Sequence, residues 1–109
     1  MSIAEKDWKY ASKLRSKFLE RLCKRINDQS LKILNDSTLT QYERYLALYK
    51  HIDESDKLVA FGFDGWSRSK AIQCLVFYYQ QGLITDLEYS DFTPETKEVI
   101  ASWLGIEKQ

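Results

Sequence analysis

The side chains able to do chemistry in this chain are few and scattered. There is one histidine, His51, and there are two cysteines, Cys23 and Cys74. A zinc site draws its ligands from local clusters of Cys and His, and acid–base or nucleophilic catalysis needs a base held beside the reacting group. No C-x-x-C pair and no two-histidine motif is present, so both cysteines read as small apolar side chains inside helices. His51, close to Asp53 and Glu54, could titrate near neutral pH, but its place near a helix end suits a surface or capping residue. The segment "GFDGW" holds two glycines without the lysine and hydroxyl of a phosphate loop. No catalytic residue, metal ligand or cofactor is therefore expected, and the chain does not read as an enzyme.

Recognition chemistry is better represented. Residues 61–70 read "FGFDGWSRSK", with three aromatics and two glycines beside an arginine and a lysine. Trp, Phe, Tyr and Arg are the residues that anchor protein interfaces. In one reading Phe61 and Phe63 plug the core, the glycines allow a turn, and Trp66 staples onto its own helix. In the other the segment is a bend that turns aromatic and basic groups outward. The second gives an expected partner surface of Phe63, Trp66, Arg68 and Lys70, joined by Lys57. A brief strand over 58–63 is a further option, though it would have no mate.

The elements that must position these groups are helices. One proline and four glycines in 109 residues favour long elements with short connections. Trp8, Ala11, Leu14, Phe18, Leu22 and Ile26 recur every three or four residues, and the pattern runs on through Leu31 and Leu34. This predicts a first helix of more than 25 residues, opened by a capping box of Ser2 and Glu5. "TQYE" at 40–43 is a second capping box, starting a helix that carries Tyr42, Tyr45, Leu46, Tyr49 and Ile52 and either frays at the acidic "DESD" of 53–56 or runs on to about residue 58. Ser67 is the expected N-cap of a third helix, which Gly82 stops. "TDLE" at 85–88 caps a short helix, and Thr93 with Pro94 opens a last one ended by Gly105. The expected fold is all-α, a single helical domain over 1–109 with four main helices and one short one. Tyr45, Leu46 and Tyr49 are the expected seam of a helical homodimer.

Charge divides the chain. Residues 1–34 carry nine basic against four acidic side chains, residues 35–109 seven against twelve, and the whole is neutral. Opposed halves can attract within a chain, across a dimer, or toward different partners. The last three helices could imitate a helix-turn-helix, so a small nucleic-acid-binding regulator is the alternative function. That region is acidic, however, where a DNA reader needs cations, so nucleic acid is not the expected partner. With no apolar run long enough to span a bilayer and no signal-peptide pattern, the expected location is cytoplasmic, with reduced thiols.

From about Gly62 to Leu104 the sequence resembles the fluorescence recovery protein family of cyanobacteria and its relatives in other bacteria. Gly62 precedes a helix, Ser69 lies in that helix's first turn, and an apolar run closes on "QQGL" at 80–83. Glu88 and Ile100 follow at matching intervals, while Trp8 on a long charged helix and a second helix from about residue 41 fit the same layout. The resemblance implies an all-helical homodimer without cofactor. It also implies a regulator of photoprotection that binds photoactivated orange carotenoid protein, speeds its return to the resting form and so ends quenching. Four positions depart from the family pattern. Ala47 replaces a tryptophan, Lys50 and His51 replace a His-Asp pair, and Ser67 replaces an arginine that reappears one place on as Arg68. Lys57 keeps a basic residue in kind. These departures bear on the partner more than on the fold.

Overall fold

A computed structural model describes residues 3–105 and contains only helices among them. In chain order they are α1 (Glu5–Leu34), α2 (Gln41–Phe63), a single 3-10 turn (Arg68–Lys70), α3 (Ala71–Gln80), α4 (Asp86–Ser90) and α5 (Pro94–Leu104). Ser2 lies outside the described residues, and α1 starts after Ala4, which makes no side-chain capping bond. Ser67 does not cap α3: it precedes the 3-10 turn, its side chain makes no capping bond, and α3 starts at Ala71 after Lys70. The remaining predicted starts are built as the sequence implies. Thr40 and Glu43 close a reciprocal capping box on α2, Thr85 and Glu88 close one on α4, and the Thr93 hydroxyl accepts from the Thr96 amide ahead of α5. Each satisfies amides that the first turn of a helix leaves without partners.

Helix α1 runs 30 residues because its apolar stripe never breaks before Asn35. Ala11, Leu14, Phe18 and Leu22 are its buried face. Against them lies α3, "AIQCLVFYYQ", which is apolar almost all round and buries seven of its ten residues. A helix without a polar face must sit inside, and α3 packs on α1, α2 and α5 at once. It ends where Gly82 turns left-handed at φ 70°. There the Leu83 amide reaches back to the Tyr78 carbonyl and the Gly82 amide to that of Tyr79, the two bonds of a Schellman motif.

Helix α2 corrects two expectations. It does not stop near residue 58, and 58–63 is not a strand: the helix continues through Phe63. Gly62 survives in its last turn because the ring of Phe77 lies against its α-carbon. A Cβ there would stand 2.3 Å from Phe77 Cε2. The Asp64 amide still bonds the Ala60 carbonyl, and only then does Gly65, at φ 76°, turn the chain.

The molecule is long, 51 × 31 × 21 Å, with a radius of gyration of 16.8 Å, where about 13 Å is usual for this length. The excess comes from α1 and α2. No residue of α1 beyond Leu22 is buried, and α2 buries only Gly62 and Phe63 at its far end. Toward the far end of α1, Arg25 donates to the carbonyl and the side-chain oxygen of Gln81, at the end of α3. Beyond them the end of α1 and the first turns of α2 project as a two-helix hairpin. Its links are the His51 bond to the Ile26 carbonyl and the Arg44 bond to the Asp36 carbonyl.

Candidate functional site

Two contacts lock the α1 stem to the body and fix what surrounds it. Asp7 is fully buried and accepts from the Thr93 amide (3.1 Å), the Thr93 hydroxyl (2.6 Å) and the Thr96 hydroxyl. It thus caps α5 from 86 residues away. Arg21 grips Glu88 with both guanidinium nitrogens, at 2.6 and 2.9 Å, and also donates to the Leu83 carbonyl. Those bonds, with one from the Thr85 amide, outweigh burial and hold the Glu88 carboxyl down at about 2. The Arg21–Glu88 ion pair joins the basic segment to the acidic one.

The segment 61–70 divides between core and surface differently from the sequence expectation. Phe63, expected on the partner surface, is buried and stacks on Tyr78 with ring centroids 4.9 Å apart. Its position in the last turn of α2 aims it inward, and Arg15 covers its ring and donates to its carbonyl. Trp66, also expected outward, is half-buried. It stacks on Trp8 at 4.9 Å and 14°, and the Arg15 guanidinium lies 5.3 Å from its ring. Trp66 is a clamp between the bend and α1, a role that Trp8 hints at only once the two are seen together. Tyr78 donates to the Gly62 carbonyl at 2.6 Å beneath this layer, and burial pushes its hydroxyl up to about 12.

Phe61 is the aromatic that faces water. It is 73% exposed, although its ring edge meets Phe77. With Asp64, Lys70, Gln73 and Cys74 it lines a notch of about 230 Å³ at the α2–α3 corner. Burial pushes the Cys74 thiol up, which leaves it a poor nucleophile at the base of this notch. Lys57 lies four residues before Phe61 on α2, exposed and 3.3 Å from Asp53. Lys70 therefore lines the same notch as Phe61, whereas Arg68 belongs elsewhere. It lines a second groove with Ile3, Ala4, Ile72, Glu95, Thr96 and Val99, and its guanidinium sits 3.4 Å from the Ile3 carbonyl oxygen.

A separate cluster occupies the projecting hairpin. Leu31 and Leu34 on α1, and Tyr42, Tyr45, Leu46, Tyr49 and Ile52 on α2, are 44–69% exposed. The expected seam residues Tyr45, Leu46 and Tyr49 are among them, at 62%, 46% and 68%. Exposed aromatic and aliphatic groups gathered in one place mark interaction surfaces far more often than scattered ones do. On the α1–α2 seam the His51 Nε2–H donates to the Ile26 carbonyl at 3.0 Å. Among the described residues no group of three His, Cys, Asp or Glu side chains could hold a metal ion. No helix among them is long and apolar enough to cross a membrane.

Compared with protein-family models, with curated proteins and with solved structures, the chain matches none.

Proposed function

We propose that this chain is a non-enzymatic regulatory binding protein that works as a homodimer, paired through the hairpin and gripping a protein partner at the α2–α3 corner. One observation carries the reading: large apolar side chains stay open to water along the projecting hairpin and beside the notch, whereas among the described residues α3, α4 and α5 leave Tyr79, Leu87 and Trp103 so exposed, one on each helix. Seven such side chains on the hairpin offer an area of the order of the roughly 800 Å² per partner that a stable interface covers. At the corner, Phe61 supplies an anchor, the notch supplies a socket, and Lys57 and Lys70 supply positive charge for orientation.

Such a surface regulates by preference. A binder that favours one conformer of a two-state partner shifts that partner's equilibrium by the ratio of the two affinities. To speed the change it must also favour the transition between the states, which takes shape and charge rather than reactive groups. The resemblance over Gly62–Leu104 makes photoactivated orange carotenoid protein the partner to test first. The purified chain is mixed with the photoconverted protein, and red-to-orange recovery is followed in the dark by absorbance. Acceleration at stoichiometric amounts is the expected result, and Phe61→Ala should diminish it. Unchanged recovery would remove this partner.

A further inference from the structure

We propose that the solvent face of α1 is a docking rail for an acidic helix of another protein, read by a row of four lysines. Lys6, Lys9, Lys13 and Lys17 are spaced by three, four and four residues. They therefore share one face of the helix and span roughly 16 Å along it. All four are exposed, on the side opposite the buried Ala11, Leu14, Phe18 and Leu22. Among the described residues none of the four takes part in an ion pair. Lys24, Lys50 and Lys57, by contrast, each lie within 4.0 Å of a carboxylate one turn away on their own helix. Like charges at this spacing destabilise a helix. An external run of negative charge gives the row a compensating partner.

The boundaries of the row select that partner. Glu20 follows Lys17 on the same face, and Asp28 is engaged by Lys24 one turn further on. On the α4 side, Glu88 and Asp91 stand against Arg21 and Tyr10. Duplex DNA or an anionic bilayer would press continuous negative charge against these carboxylates. The row also contains no arginine to fork a phosphate and no aromatic to stack on a base. A helix bearing Glu or Asp every three or four residues for three turns presents its carboxylates at the same rise as these lysines. It forms four pairs in register and then ends. This surface is separate from both the hairpin and the notch, so it stands or falls independently of the function proposed above.

The probe is a fluorescein-labelled, alanine-based helical peptide with glutamates at alternating three- and four-residue spacing. Its binding is read by anisotropy at low salt. The expected result is saturable binding that weakens at least roughly tenfold in the variant Lys6→Gln/Lys9→Gln/Lys13→Gln/Lys17→Gln, since several exposed pairs are lost together. The matching set of four Lys→Arg substitutions should keep it. A peptide of equal composition with its glutamates scrambled should bind several-fold more weakly. Circular dichroism of both variants checks that the helices remain. The proposal is overturned if the row peptide fails to bind, if the Gln variant binds it equally, or if scrambling changes nothing. It is likewise overturned if duplex DNA or phosphatidylserine vesicles bind more tightly than the row peptide.

Discussion

Glu88→Gln should separate the ionic part of the α1–α4 clasp from its hydrogen bonds. The glutamine can still accept from Arg21 and can still reach the Thr85 amide, so the capping box persists and only the charge is lost. In the folded chain the carboxyl is held at about 2, against an ordinary 4.5, chiefly by the Arg21 bonds. At about 1.4 kcal/mol per pH unit, that difference sets a ceiling near 3.5 kcal/mol. The Arg21 side chain is 35% exposed, so water screens part of this, and about 1–2 kcal/mol is the expected loss at neutral pH. A carboxyl with a depressed value stabilises fully above its unfolded value and loses that contribution as pH falls toward its folded one. The gap between wild type and variant should therefore be complete at neutral pH, begin to close near pH 4.5 and vanish near pH 2. Urea denaturation at fixed protein concentration across that range reads it directly, the fixed concentration removing mass-action effects of any dimer. A neutral-pH gap below a few tenths of a kcal/mol, or one that persists unchanged at pH 2, would refute the assignment.

Other substitutions test the division between core and surface. Gly62→Ala forces a methyl into the Phe77 ring and should cost about 1–3 kcal/mol or more, read as a lowered melting temperature. Asp7→Ala strips three donors of their acceptor and should cost on the order of 2–4 kcal/mol, with α5 the first element to lose hydrogen-exchange protection. Trp66→Ala breaks the stack on Trp8 and should destabilise by about 2–4 kcal/mol, whereas Phe61→Ala should change stability by less than about 1 kcal/mol. If the two variants melt alike, the assignment of Trp66 to the core and Phe61 to the surface is wrong.

Local signals in the sequence carried most of the fold. The Thr40, Thr85 and Thr93 starts and the Gly82 and Gly105 stops each depend on a few neighbouring residues, and each is found as expected. Features set by distant partners were not legible. Asp7 looks like one more charge on a charged helix until Thr93 and Thr96 arrive beside it. Helix α2 runs on past Gly62, a residue that locally argues against a helix, and the ring of Phe77 fills the space a side chain there would need. The same limit explains the aromatic segment. Phe61, Phe63 and Trp66 are alike in type, and only the helical phase of α2 and the position of Trp8 sort one outward and two inward. The hairpin residues Tyr45, Leu46 and Tyr49 were marked by spacing alone, but their exposure follows from the length by which α1 and α2 outrun the body.

The central claim is that the hairpin is a pairing surface, and the solution mass tests it most directly. Light scattering on the purified chain across micromolar concentrations should return about twice the 12.9 kDa of a single chain. The variant Leu46→Glu/Tyr49→Glu, with its helical circular dichroism retained, should return the single-chain mass. A wild-type mass of one chain at every concentration, or a dimer that the two substitutions leave intact, would contradict the account.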